Sequence, residues 1–139
     1  MKKIVIIGAS GHAKVVADII FARKKELNEE IEIVANNWNL KNFLGYKEIF
    51  EVPIIGTLKK IEDFDKGKYW FVIGVGNNHI RQKIFEQYSK LNYYTAVHPK
   101  TNIAKEVSIG AGTVIMANVI INAYSTIGKQ CILNNMIMY

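Results

Sequence analysis

From Ile103 onward an aliphatic residue recurs every six positions: Ile103, Ile109, Ile115, Ile121, Ile127 and Leu133. The positions four residues after each are Val107, Thr113, Val119, Ser125, Cys131 and Ile137, mostly small or β-branched. A period this short rules out helical repeat units and matches hexapeptide β-helices. Each sextad is predicted to form one short strand of a coiled parallel sheet, with its aliphatic residue turned into a shared core. With three strands to a turn, residues 97–139 hold about seven sextads, a little over two triangular coils. Repeat arrays need about three or more units and a cap over the last edge. The final coil is therefore expected to expose unpaired N–H and C=O groups, an aggregation or docking surface, so that this form either oligomerises, meets a partner there or is marginally stable.

The first two thirds read differently. Lys3–Ile7 is a short apolar run rich in Ile and Val, as in a strand buried on both faces. Gly8-Ala9-Ser10-Gly11 makes a tight turn, with Ser10 as N-cap of a helix from His12 to about Lys25. Val15, Val16, Ile19 and Ile20 recur on that helix at helical spacing. A second strand is predicted over Ile31–Ala35, completing the start of a doubly wound parallel sheet. Further along, the sequence predicts an edge strand at Val52–Gly56, a short helix over Thr57–Phe64 and a strand over Tyr69–Gly74. A second helix follows over His79–Leu91, and Asn92–Val97 is the last strand of this part. His98-Pro99 marks the passage into the repeats. The fold class is thus α/β: a Rossmann-like domain over residues 1–97, then an incomplete hexapeptide-repeat β-helix over residues 98–139.

Two glycine loops, Gly8–Gly11 and Gly74–Asn78, each follow a strand and open a helix. In open α/β sheets ligands bind at that carboxyl edge, where free N–H groups and the helix dipole suit phosphate. The alternative is that these glycines only permit tight turns; two such loops at one edge favour a ligand. A dinucleotide fingerprint requires glycine at its first and third positions and an acid after the second strand. Here Ser10 holds the third position, and Asn36 and Asn37 stand where the acid belongs. A dinucleotide-dependent oxidoreductase is thereby disfavoured, and a mononucleotide or nucleotide-sugar fits better. His12 suits either a ligand contact or a helix start, His79 a cap or surface position, and His98 a structural role.

Lys and Arg outnumber Asp and Glu by 18 to 12, but no block of five like charges occurs, so a nucleic-acid tail is not expected. The apolar start breaks at Gly8, unlike a signal peptide, and no run approaches the roughly 18 apolar residues of a membrane helix. A cytoplasmic protein is expected. The single cysteine, Cys131, forms no intrachain disulfide and is read as packing. His12, His79 and His98 lack metal-ligand spacing, so no metal is expected.

Three segments together carry a resemblance: Ile7-Gly8-Ala9-Ser10-Gly11-His12-Ala13-Lys14-Val15-Val16, then Ile73-Gly74-Val75-Gly76-Asn77-Asn78-His79-Ile80-Arg81, then His98-Pro99 before the sextads. In this order the chain resembles the bacterial sugar acetyltransferases of the hexapeptide-repeat superfamily, which include nucleotide-4-amino-sugar N-acetyltransferases and sialic acid O-acetyltransferases. The resemblance implies that the Rossmann-like domain binds a UDP-sugar and that a left-handed β-helix carries transfer from acetyl-CoA, in a homotrimer. It places Gly8, Ala9, Ser10, Gly11 and His12 in the nucleotide-sugar pocket, with Asn36 and Asn37 where relatives carry Asp. Gly74, Gly76, Asn77 and Asn78 face the same pocket, and Arg81 either pairs with a phosphate or is a solvent-facing helix charge. The catalytic His and its acidic partner are implied about two residues beyond Tyr139. This form is therefore expected to be truncated and inactive alone. The alternative is a sugar-nucleotide-binding or regulatory module without chemistry.

Overall fold

The computed structural model describes residues 1–9, 11–37, 48–49 and 52–135. The N-terminal part is built on β1 (Lys2–Ile7), β2 (Ile31–Asn37), β3 (Glu48–Ile49), β4 (Val52–Thr57) and β5 (Tyr69–Ile73), with helices α1 (Gly11–Leu27) and α2 (Asn78–Gln87). The strands lie in the order β3-β4-β2-β1-β5, all parallel except the β3–β4 pair. The chain runs outward from β1 through β2 to β4, then returns to β5 on the other side of β1. That reversal between β1 and β5 is a topological switch point, where the loops at the carboxyl ends diverge.

Alternation along β1 explains its continuous apolar run. Ile4 and Ile6 pack with Val16, Ala17, Ile19 and Ile20 of α1, while Val5 and Ile7 pack with Phe71, Ile73 and Ile84 on the opposite face. Both faces are covered, so polar alternation has no place in this strand.

Several boundaries differ from the sequence reading. Val52–Thr57 is the edge only of the parallel part, because β3 adds outside it. Leu58–Asp63 forms a tighter 3-10 turn where an α-helix was expected over Thr57–Phe64. The second helix stops at Gln87 and not at Leu91: Tyr88 leaves helical geometry, and its carbonyl accepts from the Tyr93 hydroxyl at 2.9 Å. The strand expected over Asn92–Val97 divides in two. Tyr93 bridges Phe71 beside β5, whereas β6 (Ala96–Val97) pairs with the repeats.

The repeats form β7 (Asn102–Ile103), β8 (Ser108–Ile109), β9 (Val114–Ile115), β10 (Ile120–Ile121), β11 (Thr126–Ile127) and β12 (Ile132–Leu133). Each pairs in parallel with the strand eighteen residues away, as Asn102 with Ile120, Ser108 with Thr126 and Val114 with Ile132. Three sextads thus close one triangular turn. The corners carry the same period: Glu106, Gly112, Asn118, Tyr124 and Gln130 all have φ between 57° and 79°, the left-handed conformation that reverses the chain. Ile115, Ile121 and Leu133 are buried in the coil, with Cys131 packed beside them as expected. Ile103 departs from the inward pattern at 36% exposure, because the first coil has another coil on one side only. Ile137 lies outside the described residues.

The two parts share a core. Tyr94, Ala96 and Val114 join Ile4, Ile6 and the α1 residues in one apolar cluster, with Met116 packed against it. Arg23 near the end of α1 grips the Glu29 carboxylate through Nε and Nη2 and donates from Nη1 to the Val97 carbonyl at 2.8 Å.

Stacked corners leave unequal room for side chains. A Cβ on Gly110 would collide with the backbone of Gly128 and Lys129 in the next coil, whereas one on Gly128 meets, among the described residues, only Cys131 Sγ at 3.6 Å. Gly110→Ala is therefore expected to cost about 1–3 kcal/mol through overpacking, and Gly128→Ala far less, in urea unfolding. Equal losses would contradict the coil stacking.

Candidate functional site

The site starts from strand ends that finish level. Ile7 of β1 pairs with Ile73 of β5 on one side and Asn36 of β2 on the other. Beyond these ends stand the Gly8 turn and the Gly74–Asn78 loop, and they touch. Gly74 N–H donates to the Ile7 carbonyl at 2.9 Å. Gly8 has φ +133°, and a Cβ there would lie 2.7 Å from the Gly74 carbonyl oxygen; this backbone suits glycine alone. At Gly74 a Cβ would lie 2.7 Å from Ile6 Cγ2 and 3.0 Å from Ala13, so a side chain would push α1 off the sheet.

Of the residues expected in the pocket, Gly8 is buried, Ala9 and His12 are half-buried, and Gly11, Gly76, Asn77 and Asn78 are exposed. Among the described residues, nothing lies within 4 Å of where a side chain on Gly11 would project. Asn36 and Asn37 close β2 at the same edge. Ser10, expected both as N-cap and in the pocket, lies outside the described residues. Asn77 is the N-cap of α2, its Oδ1 accepting from Ile80 N–H at 3.1 Å. That fixes the loop's exit and leaves His79 as an exposed residue of the first turn.

His12 packs beside Gly76, and its Nε2 is buried with no hydrogen-bond partner among the described residues. Burial, and then the nearby Arg81 guanidinium, push its pKa down to about 4. His12 is therefore neutral near pH 7. His98 is also committed: its Nδ1 accepts from Lys100 N–H at 3.0 Å.

Arg81 requires a correction. It is 2% exposed and so is not a solvent-facing helix charge. Its guanidinium is engaged by backbone carbonyls. Nη1 donates to the Ile73 and Val75 carbonyls at 2.6 and 3.1 Å, and Nη2 to the Gln130 carbonyl at 2.9 Å. Sequence reasoning saw a basic residue one turn into a helix; only the three-dimensional fold supplies the carbonyls that hold it inside. Burial lowers its pKa to about 10, and it keeps its charge at neutral pH. A cavity of about 320 Å³ lies elsewhere, between Lys14, Val15, Asp18 and Ile19 of α1 and His98, Met116, Ala117 and Asn135. None of the glycine-loop residues lines it, and no sequence motif announced it. No group of three His, Cys, Asp or Glu side chains among the described residues is placed to hold a metal.

The profile of the family described as PglD N-terminal domain matches residues 3–88, more than half of the chain, from β1 through α2. This chain belongs to the family of the PglD N-terminal domain. Among its relatives, the UDP-N-acetylbacillosamine N-acetyltransferase of Bacillus subtilis (strain 168) is 35% identical over 122 residues, 84% of this chain and 52% of that protein. The acetyltransferase domain of PglB from Neisseria gonorrhoeae FA1090, solved with acetyl coenzyme A, is 28% identical with a TM-score of 0.86, covering 99% of this chain and 64% of that one. PerB from Caulobacter crescentus, solved with CoA and GDP-perosamine, is 27% identical with a TM-score of 0.78, covering 99% of this chain and 62% of that one. The PglD-type chain described here thus spans about half the length of the curated relative and under two thirds of the solved ones.

The depressed pKa of His12 gives the PglD-type fold a predicted acid sensitivity. As pH falls below the ordinary histidine value near 6.5, the unfolded chain takes up this proton before the folded one does. The contribution is full above that value and declines as pH falls toward about 4. His12→Gln is expected to flatten this part of the stability profile, read by urea unfolding at pH 4.5 to 7. A variant whose slope matches the wild type would show that His12 titrates normally in the fold.

Proposed function

We propose that this chain supplies the nucleotide-sugar-binding part of an acetyl-CoA-dependent N-acetyltransferase, and that it recognises a UDP-sugar. The observation that carries the reading is the contact of the two glycine loops at the switch point between β1 and β5. There the exposed start of α1 and the capped start of α2 offer N–H groups to one diphosphate. Ser10, Asn36 and Asn37 complete the pocket in this proposal, the two asparagines replacing the acid that a dinucleotide ribose requires. The ligand's sugar, not a nicotinamide, then reaches toward the coil. UDP follows from the substrate named for the Bacillus relative; the GDP-perosamine bound to PerB makes guanine the competing base.

Acetyl transfer requires a general base within hydrogen-bond reach of the acceptor. None of the three histidines in residues 1–139 suits that role. His12 is buried and weakly basic, His79 lies exposed on α2, and His98 spends Nδ1 on the backbone. The proposal therefore gives substrate binding to the glycine-loop edge of this chain, and assigns acetyl transfer from acetyl-CoA to the β-helix that relatives of this family carry, not to these three histidines. Ile120 and Tyr124 are exposed along the coil, apolar surface that a second copy would cover in a homotrimer.

Titration calorimetry of the 139-residue chain is expected to show binding of UDP and a UDP-4-amino-sugar, weaker binding of GDP, and none of NAD. At a hundred times Kd, the bound nucleotide should add about 2.7 kcal/mol of stability. The chain alone should show no acetyl-CoA turnover with the same sugar. NAD binding tighter than UDP, or no nucleotide binding at all, would overturn the reading.

A further inference from the structure

Arg81 is a buried cation with no carboxylate paired to it among the described residues. Its charge is met by three backbone carbonyls drawn from two separate elements. Ile73 and Val75 belong to the end of β5 and the start of the Gly74–Asn78 loop; Gln130 is a corner of the coil with φ 57°. Removing a charge from water is costly, and carbonyl dipoles repay it only when well placed. Satisfaction is also incomplete: Arg81 Nε, His12 Nε2 and both amide atoms of Gln130 are buried without partners. The arrangement is therefore poor as a device for stability alone. Its geometry is specific. One planar fork spans the loop and a corner 49 residues beyond Arg81 itself, which the single point of a lysine ammonium cannot reproduce. The Gln130 N–H in turn bonds the Ala111 carbonyl at 3.0 Å, passing the tie into the neighbouring coil.

We propose that Arg81 is a positioning residue that shapes the Gly74–Asn78 ligand loop and locks it to the Lys129–Gln130 corner, so that nucleotide occupancy is felt in the coil. This inference rests on the nucleotide-sugar reading of the loops. Arg81 touches no ligand in this scheme; it acts through the Ile73 and Val75 carbonyls. The coil is where the family places acetyl transfer, so the tie gives a route by which a filled pocket sets the coil.

The test is amide-resolved NMR of the 139-residue chain titrated with UDP. In the wild type, the amides of Gly74–Asn78 and those of Gln130 and Cys131 are expected to shift along one saturation curve. Arg81→Lys keeps the charge and loses the fork. It should bind UDP on the order of tenfold more weakly, the equivalent of one or two lost ordering interactions. Its corner amides should no longer follow the loop at saturation. Loop shifts without corner shifts in the wild type, or Arg81→Lys behaving as the wild type, overturns the inference and leaves the nucleotide reading standing. No response to UDP anywhere removes that reading and the inference with it. Should Arg81→Lys fail to fold, hydrogen exchange of the wild type decides. The Gln130 and Cys131 amides, bonded to Ala111 O and Thr113 Oγ1, should exchange more slowly with UDP bound. Unchanged exchange at saturated loops overturns the proposal.

Discussion

At Gly74 there is no room for a side chain, and much of the structure follows from that. Ile6 of β1, Ala13 of α1 and the loop beyond β5 meet there, with Ile6 Cγ2 and Ala13 within 3.0 Å of where a Cβ would stand. The approach brings the first turn of α1 down onto the β1–β5 seam. Gly8 answers with a positive φ that lets its own backbone clear the Gly74 carbonyl. Two loops that could have splayed at a switch point are instead held as one wall. A phosphate placed against that wall meets two helix starts at once, and this sets the kind of ligand the edge suits.

The same seam also fixes the coil. α1 covers β1 on one side and carries β6 on its flank, so Tyr94, Ala96 and Val114 extend the sheet's own core into the repeats. Two arginines then pin the joint from opposite ends, Arg23 on the Val97 carbonyl and Arg81 on the Gln130 carbonyl. Apolar burial is indifferent to rotation, whereas a guanidinium on a chosen carbonyl is not. The core gives the junction its adhesion and the arginines give it its angle. The Gly74–Asn78 loop and a coil corner are thereby held at one angle.

The repeats were the most legible part, because an 18-residue turn makes the same demand of every sextad and the aliphatic positions record it. The strand–turn–helix starts were legible for a similar reason: Gly8 and Gly74 mark places where the backbone comes close, and few other residues could stand there. What escaped the reading depended on long-range partners. Past Gln87 the Tyr88 carbonyl accepts from Leu91 N–H at 3.3 Å in a local turn and from the Tyr93 hydroxyl at 2.9 Å, a partner that the helical pattern does not announce. Nothing local splits Asn92–Val97, since β6 pairs with β9, eighteen residues on. Arg81 was noticed for its charge, but its role depends on carbonyls that only folding brings to it. The cavity between α1 and the coil had no signal, being lined by residues that each look ordinary in sequence.

The most direct test of the account is a crystal structure of this chain with UDP bound. The diphosphate is predicted against the wall that the Gly8–His12 turn and the Gly74–Asn78 loop form together, at the start of α1, with Arg81 still on the Ile73, Val75 and Gln130 carbonyls. UDP seated in the cavity between α1 and the coil, or the two glycine loops parted with nothing between them, would contradict it.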